Sequence, residues 1–193
     1  MTREYQMDLS SDGAAALAKL NQLARDTSLS RIQSICQRDA FTLVENSQFR
    51  KVKDHWMAQA LISGPQLRAI FCVYFNAQNL KKWSVKVFDR EWEKINLPEI
   101  HDLSKEYCNL VAGNLKSALD LNQIRVGVSL PFLSRGFDRI FSAAESQRPI
   151  HNEIWKIRAD DLEIACSTHI EIFKEFRFEI PDDSSDSGDV QFL

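Results

Sequence analysis

The sequence predicts an α+β domain: a two-layer arrangement in which a mostly antiparallel sheet packs against two or more long helices. Three observations predict it. Apolar residues recur at helical spacing near the N-terminus and again over residues 97–120. Runs rich in Val, Ile, Phe and Tyr come in pairs separated by tight breaks, over residues 56–75 and 153–173. Helix patterns alternate with these strand pairs, and strands joined by short breaks are antiparallel.

Taken in order, residues Asp12 to Arg25 read as a helix, with Ser10 or Ser11 as N-cap and Leu17, Leu20, Leu23 and Ala24 at helical spacing. A second helical pattern starts near Ser30 and runs through Ile32, Ile35 and Cys36 toward Leu43. Trp56–Ser63 reads as a strand, broken by Gly64-Pro65-Gln66. Leu67–Phe75 is too continuously apolar to alternate, which places it centrally with both faces covered. Asn76 caps a helix over Ala77–Phe88, with Leu80, Trp83 and Val87 inward. Leu97-Pro98-Glu99 opens the next helix, because proline is tolerated where the N–H has no helical partner. Leu103, Tyr107, Leu110, Val111, Ala118 and Leu119 form its apolar face, and it is predicted to end near Leu119-Asp120. Residues Gln123 to Leu130 alternate like a half-buried strand, ended by Pro131, and residues 132–148 read as a loop. Glu153–Arg158 and Leu162–Phe173 form a second hairpin across residues 159–161.

Composition narrows the function classes. With 193 residues, 44% hydrophobic and 26% charged, the chain holds one packed domain plus termini. A net charge of -3 argues against a nucleic-acid binder. The basic clusters Arg50, Lys51, Lys53 and Lys81, Lys82 read as solvated faces. No apolar leader stands at the start, and the longest apolar run, residues 69–75, is too short to span a bilayer, so a cytoplasmic protein is expected. Cys36, Cys72, Cys108 and Cys166 are too far apart for a redox or zinc pair, and the four histidines lack ligand spacing. No metal or cofactor of its own is expected. The stretch after Pro181 is acidic and Ser-rich, with little to bury. The expected organisation is an N-terminal helical extension over residues 1–30, a main domain over 31–176 and an acidic disordered tail over 177–193.

One stripe does not resemble a core face. Glu106, Asn109, Gly113 and Lys116 are spaced three, four and three apart, so they share one side of the third helix, with Lys105 beside them. A carboxylate, a primary amide, a bare backbone and a cation there suit a face that meets a partner. The pattern Glu106-x-x-Asn109-x-x-x-Gly113 resembles the signature helix of the CheC/CheX/FliY family of chemotaxis phosphatases. Ile62-Ser-Gly64, the helix from Ala77, and Val126-Gly-Val-Ser-Leu-Pro131 followed by Gly136 extend the resemblance over residues 31–176. A single copy of the signature is most similar to CheX.

The resemblance implies a CheC-like fold and a phosphatase of a phosphorylated, CheY-like response regulator in chemotaxis or related two-component signalling. It implies that Asn109 positions the hydrolytic water at the aspartyl phosphate and that Glu106 holds the helix against the regulator. Gly113, Lys116 and Lys105 then belong to the partner-binding face. Mg2+ is expected on the receiver rather than on this chain, and a homodimer is expected. A non-catalytic receiver-binding or oligomerisation adaptor of the same fold is the alternative. The long N-terminal stretch departs from the pattern, and if it covered the signature helix it would block that helix.

Overall fold

A computed structural model describes residues 9–37, 40–44, 56–135, 150–159 and 162–181. Its first element is a single helix, α1 (Ser11–Cys36), where two helical patterns are predicted. Ser10 caps it, its hydroxyl accepting from Gly13 N–H at 3.2 Å. The stretch between the two predicted patterns, residues 26–29, stays helical. Ser28 Oγ donates to the Arg25 carbonyl at 2.7 Å, and Ser30 Oγ to the Thr27 carbonyl at 3.1 Å. Hydroxyls that bond back to their own helix cost little helical continuity. The boundary expected after residue 30 therefore falls inside α1, and Leu20, Ala24, Ile32 and Ile35 share one core. The helical pattern does not run on to Leu43, because Thr42–Val44 forms strand β1 instead.

The remaining elements are β2 (Trp56–Ser63), β3 (Leu67–Phe75), α2 (Ala77–Phe88), a short 3-10 turn (Trp92–Lys94), α3 (Leu97–Leu121), β4 (Gly127–Val128), β5 (Phe132–Arg135), β6 (Ile150–Ala159) and β7 (Leu162–Ile172). The strands form one seven-stranded antiparallel sheet in the order β1-β6-β7-β3-β2-β4, with β5 also on β2. β3 lies centrally and is buried along nearly its whole length, as its apolar run predicts. Asn96 and Glu99 form a reciprocal capping box at the start of α3, each side chain accepting the other's backbone N–H at 3.0 Å.

The helices cover one face of the sheet. Ala58, Ala60, Ile62, Ala69, Phe71, Val73, Trp155, Ile157, Cys166 and Ile170 join the core that includes α1, α2 and α3. Met57, Ile70, Cys72, Tyr74 and Ala165 form a smaller cluster, and the alternation of β2 and β3 puts it on the opposite face. Ser28 ties the helical layer together. Its carbonyl accepts from Tyr107 Oη and its hydroxyl from Trp155 Nε1, both at 2.9 Å.

The predicted strand over residues 123–130 is shorter than expected. Only Gly127 and Val128 pair with β2, and the loop predicted after Pro131 begins with β5. The two short strands share β2 with a one-residue offset. Val128 lies opposite Ile62 and Phe132 opposite Gln59, so Ser129, Leu130 and Pro131 face only Ala60 and Leu61. This is a β-bulge. Ser129 anchors it: its N–H donates to the Leu61 carbonyl at 2.8 Å, and its hydroxyl accepts the Leu61 N–H at 3.0 Å. Leu130, at the extra residue, is 87% exposed.

Residues 177–181, assigned to the tail, pack against the domain. Phe178 is in the core, and Glu179 N–H donates to Asn122 Oδ1 at 2.8 Å. The acidic stretch from residue 182 and the cluster Arg50, Lys51 and Lys53 lie outside the described residues. Among the described residues no helix is long and apolar enough to cross a membrane.

Candidate functional site: the outer face of the third helix

α3 is buried on the side of Ile100, Leu103, Tyr107, Cys108, Val111, Leu115 and Ala118. Its opposite side carries the residues singled out from sequence. Asn109 is exposed; Glu106, Gly113, Lys105 and Lys116 are partly exposed. The structure thus brings all five to one surface. α1 packs along the flank of α3, where Arg31 Nη2 donates to Asn114 Oδ1 at 3.0 Å, and leaves Asn109 open. The N-terminal helix therefore does not cover this face.

The five residues differ in how they are held. Lys116 pairs with Asp120 at 2.5 Å and Lys105 with Asp102 at 2.6 Å, so both cations are tethered along the helix. Glu106 and Asn109 have no hydrogen-bond or ion-pair partner among the described residues. Their side-chain groups are free to meet an external ligand. Among the described residues nothing explains Gly113. A Cβ built there meets no heavy atom within 4 Å. Mid-helix glycine costs about 1 kcal/mol relative to alanine, and no internal packing offsets it.

Cys108, next to Asn109 in sequence, points the other way. It is fully buried, and burial together with the neighbouring Cys72 and Cys166 pushes its thiol well above the usual range. Burial likewise raises Cys166 to about 12 and Tyr107 well above an ordinary phenol. None of these groups ionises near neutrality, so a thiolate nucleophile on this helix is excluded. Among the described residues no three His, Cys, Asp or Glu side chains gather as metal ligands.

The N-terminal half of α3 carries a cluster that sequence reading missed. Trp56 and Arg135 are directly opposite each other on β2 and β5. The Arg135 guanidinium lies 3.9 Å from the centre of the Trp56 ring. The same ring packs against His101 of α3, with centroids 4.4 Å apart and the ring planes tilted by 58°. Burial first, and then the charges of Lys105 and Arg135, lower the His101 pKa below its usual value, against an opposing pull from Asp102. His101 Nε2 is buried without a partner among the described residues. The cluster is invisible in sequence because Arg135 falls in a segment that reads as loop, and only pairing with β2 brings it to Trp56.

No protein-family model and no curated protein matches the sequence. Solved structures do match. The fold is that of CheC-like and CheX proteins. A CheC-like superfamily protein from Shewanella sp. PV-4 matches over 84% of this chain and 99% of its own, with TM-score 0.59 and 16% identity. The chemotaxis protein CheX from Vibrio vulnificus matches over 79% of this chain and 99% of its own, with TM-score 0.61 and 12% identity. CheX in the CheX–CheY–BeF3–Mg2+ complex from Borrelia burgdorferi matches over 81% and 98%, with TM-score 0.60 and 12% identity. At these identities the likeness is one of fold.

Proposed function

We propose that this chain is a phosphatase of phosphorylated, CheY-like receiver domains, with the outer face of α3 as its working surface. The observation that carries this reading is Asn109: a free primary amide on an exposed helix face, one turn from a glycine with open space around it. The solved CheX–CheY complex, in which a protein of this fold is bound to CheY, supports a receiver as the partner class.

The chemistry asks little of the protein. A receiver's aspartyl phosphate is an activated acyl phosphate, and the receiver carries its own Mg2+ and lysine. The missing part is a water held in line with phosphorus. Attack of that water forms a new P–O bond and breaks the bond to the aspartyl oxygen, giving inorganic phosphate and a free carboxylate. The Asn109 amide both donates and accepts hydrogen bonds, so it can orient water without placing a negative charge beside an anionic centre. Such positioning contributes up to about 7–11 kcal/mol in ideal systems. Glu106 lies about 4.5 Å along the helix axis and offers a carboxylate to the receiver's lysine. Gly113 lets the receiver's backbone come close, and Lys105 and Lys116 border the contact. The working form in this reading is a homodimer.

The test is phosphoryl release from a receiver. Asn109→Ala is expected to slow turnover about a hundredfold, equivalent to about 2.7 kcal/mol of transition-state stabilisation, with little change in affinity for a phosphoryl-mimic receiver. Glu106→Ala is expected to weaken both binding and turnover. Both variants should keep the wild-type circular dichroism spectrum, because neither side chain packs in the core. Full activity of Asn109→Ala on a receiver that the wild type dephosphorylates would remove this helix from the catalysis and leave the adaptor role.

A further inference from the structure

His101, Lys105, Asn109 and Gly113 are four residues apart in turn, so they form one ridge on the surface of α3. The cluster of Arg135, Trp56 and His101 stands at the N-terminal end of that ridge. From Asn109 to His101 is eight residues, or about 12 Å along the helix axis. A standard interface buries about 800 Å² on each partner, a patch with a radius of roughly 16 Å. A partner centred on Asn109 therefore reaches this cluster, but only with its margin.

Arg135 is exposed and makes no ion pair with a described residue. It is nevertheless placed, because its guanidinium carbon sits over the Trp56 ring, 3.9 Å from the centroid. A pre-placed cation loses less conformational freedom on binding than a mobile one. The groups that face it and the ridge are His101, Lys105, Asp102 and Glu106. Asp102 is taken by Lys105. Lys105 and Asp102 cancel, and the Glu106 carboxylate lies toward Asn109, about 7.5 Å along the helix axis from His101, which leaves Arg135 as the cation without a described ion-pair partner at the N-terminal end of the ridge.

We propose that Arg135, clamped on Trp56, is the cationic rim of the α3 docking face and captures an acidic patch on the partner beside the phosphorylation site. This rests on the receiver-phosphatase reading and adds to it the charge of the partner's flanking surface and the residue that reads it. A rim charge acts on association rate and its salt dependence, whereas the central amide acts on turnover.

The experiment measures association of the full chain with a panel of receiver domains loaded with beryllofluoride and Mg2+, by stopped flow from about 0.02 to 0.5 M salt, over which the Debye length falls from about 20 Å to well below 10 Å. For a receiver that binds wild type, Arg135→Ala is expected to lower the association rate about three- to tenfold at low salt and to flatten its salt dependence. Arg135→Glu should lower it further, and Arg135→Lys should restore most of it. Trp56→Leu, which keeps the charge but removes the clamp, should fall between wild type and Arg135→Ala. If Arg135→Ala associates at the wild-type rate with the wild-type salt slope, while Asn109→Ala still loses turnover, the rim is overturned and the phosphatase reading stands. If wild type binds none of the receivers, both are overturned.

Discussion

At the scale of single residues, Gly113 separates what the fold needs from what a partner needs. Its missing side chain would meet nothing within 4 Å. Gly113→Ala is therefore expected to raise stability by about 1 kcal/mol, read as a shifted denaturation midpoint with an unchanged slope. In the proposed complex the same methyl would stand where the receiver approaches, so receiver dephosphorylation should fall. A variant that gains stability and keeps full activity would show that nothing docks there. His101 gives a second test at this scale. Its folded pKa lies below the usual 6.5, so the unfolded chain binds more protons between the two values. The associated stability is complete above the unfolded pKa and is lost as pH falls through the folded one. Melting temperature should therefore decline from pH 7 toward pH 5, and the decline should be shallower in His101→Gln. The stripe was legible in sequence because helical spacing alone puts Glu106, Asn109 and Gly113 on one side. The partners of His101 were not, since no local pattern places Arg135 over Trp56.

At the scale of elements, the break between β2 and β3 depends on one close approach. A Cβ on Gly64 would lie 2.3 Å from the Arg125 carbonyl oxygen and 2.9 Å from Val126 Cγ1. The first of these is backbone and cannot rotate away. Gly64→Ala is expected to cost about 1–3 kcal/mol, measured by chemical denaturation, through displacement of residues 124–126 and of the β4 edge that follows. The bounds of α2, β2 and β3 were readable because caps and turn residues mark them: Asn76 before α2, and Gly64-Pro65-Gln66 between the strands. β1 and β5 were not readable. Each is three or four residues long and is defined by its neighbour, β6 or β2, rather than by its own alternation. The apparent break in α1 failed as a signal for a different reason: Ser28 and Ser30 turn their hydroxyls back onto the helix.

At the scale of the whole molecule, the α+β class followed from the alternation of helix patterns and strand pairs, and the core confirms it by joining all three helices to one face of the sheet. The proposed homodimer makes a prediction here. Light scattering should return twice the 22.2 kDa chain mass. The sheet edge at β4 is a short, bulged strand, which is a poor template for sheet extension. Its exposed Leu130 makes the test specific: Leu130→Asp should yield monomers if copies meet at this edge, and a persistent dimer places the interface elsewhere. The bulge also sets a counting rule on chain length. Side chains along a strand change sides at every residue, so the extra residue at 129–131 decides that Leu133 and Arg135, opposite Ala58 and Trp56, turn toward the helices. Removing one residue there would turn both to the far side of the sheet with composition almost unchanged, whereas adding two would leave them in place. Chains that keep a cation against Trp56 should therefore differ in the length of this segment by even numbers.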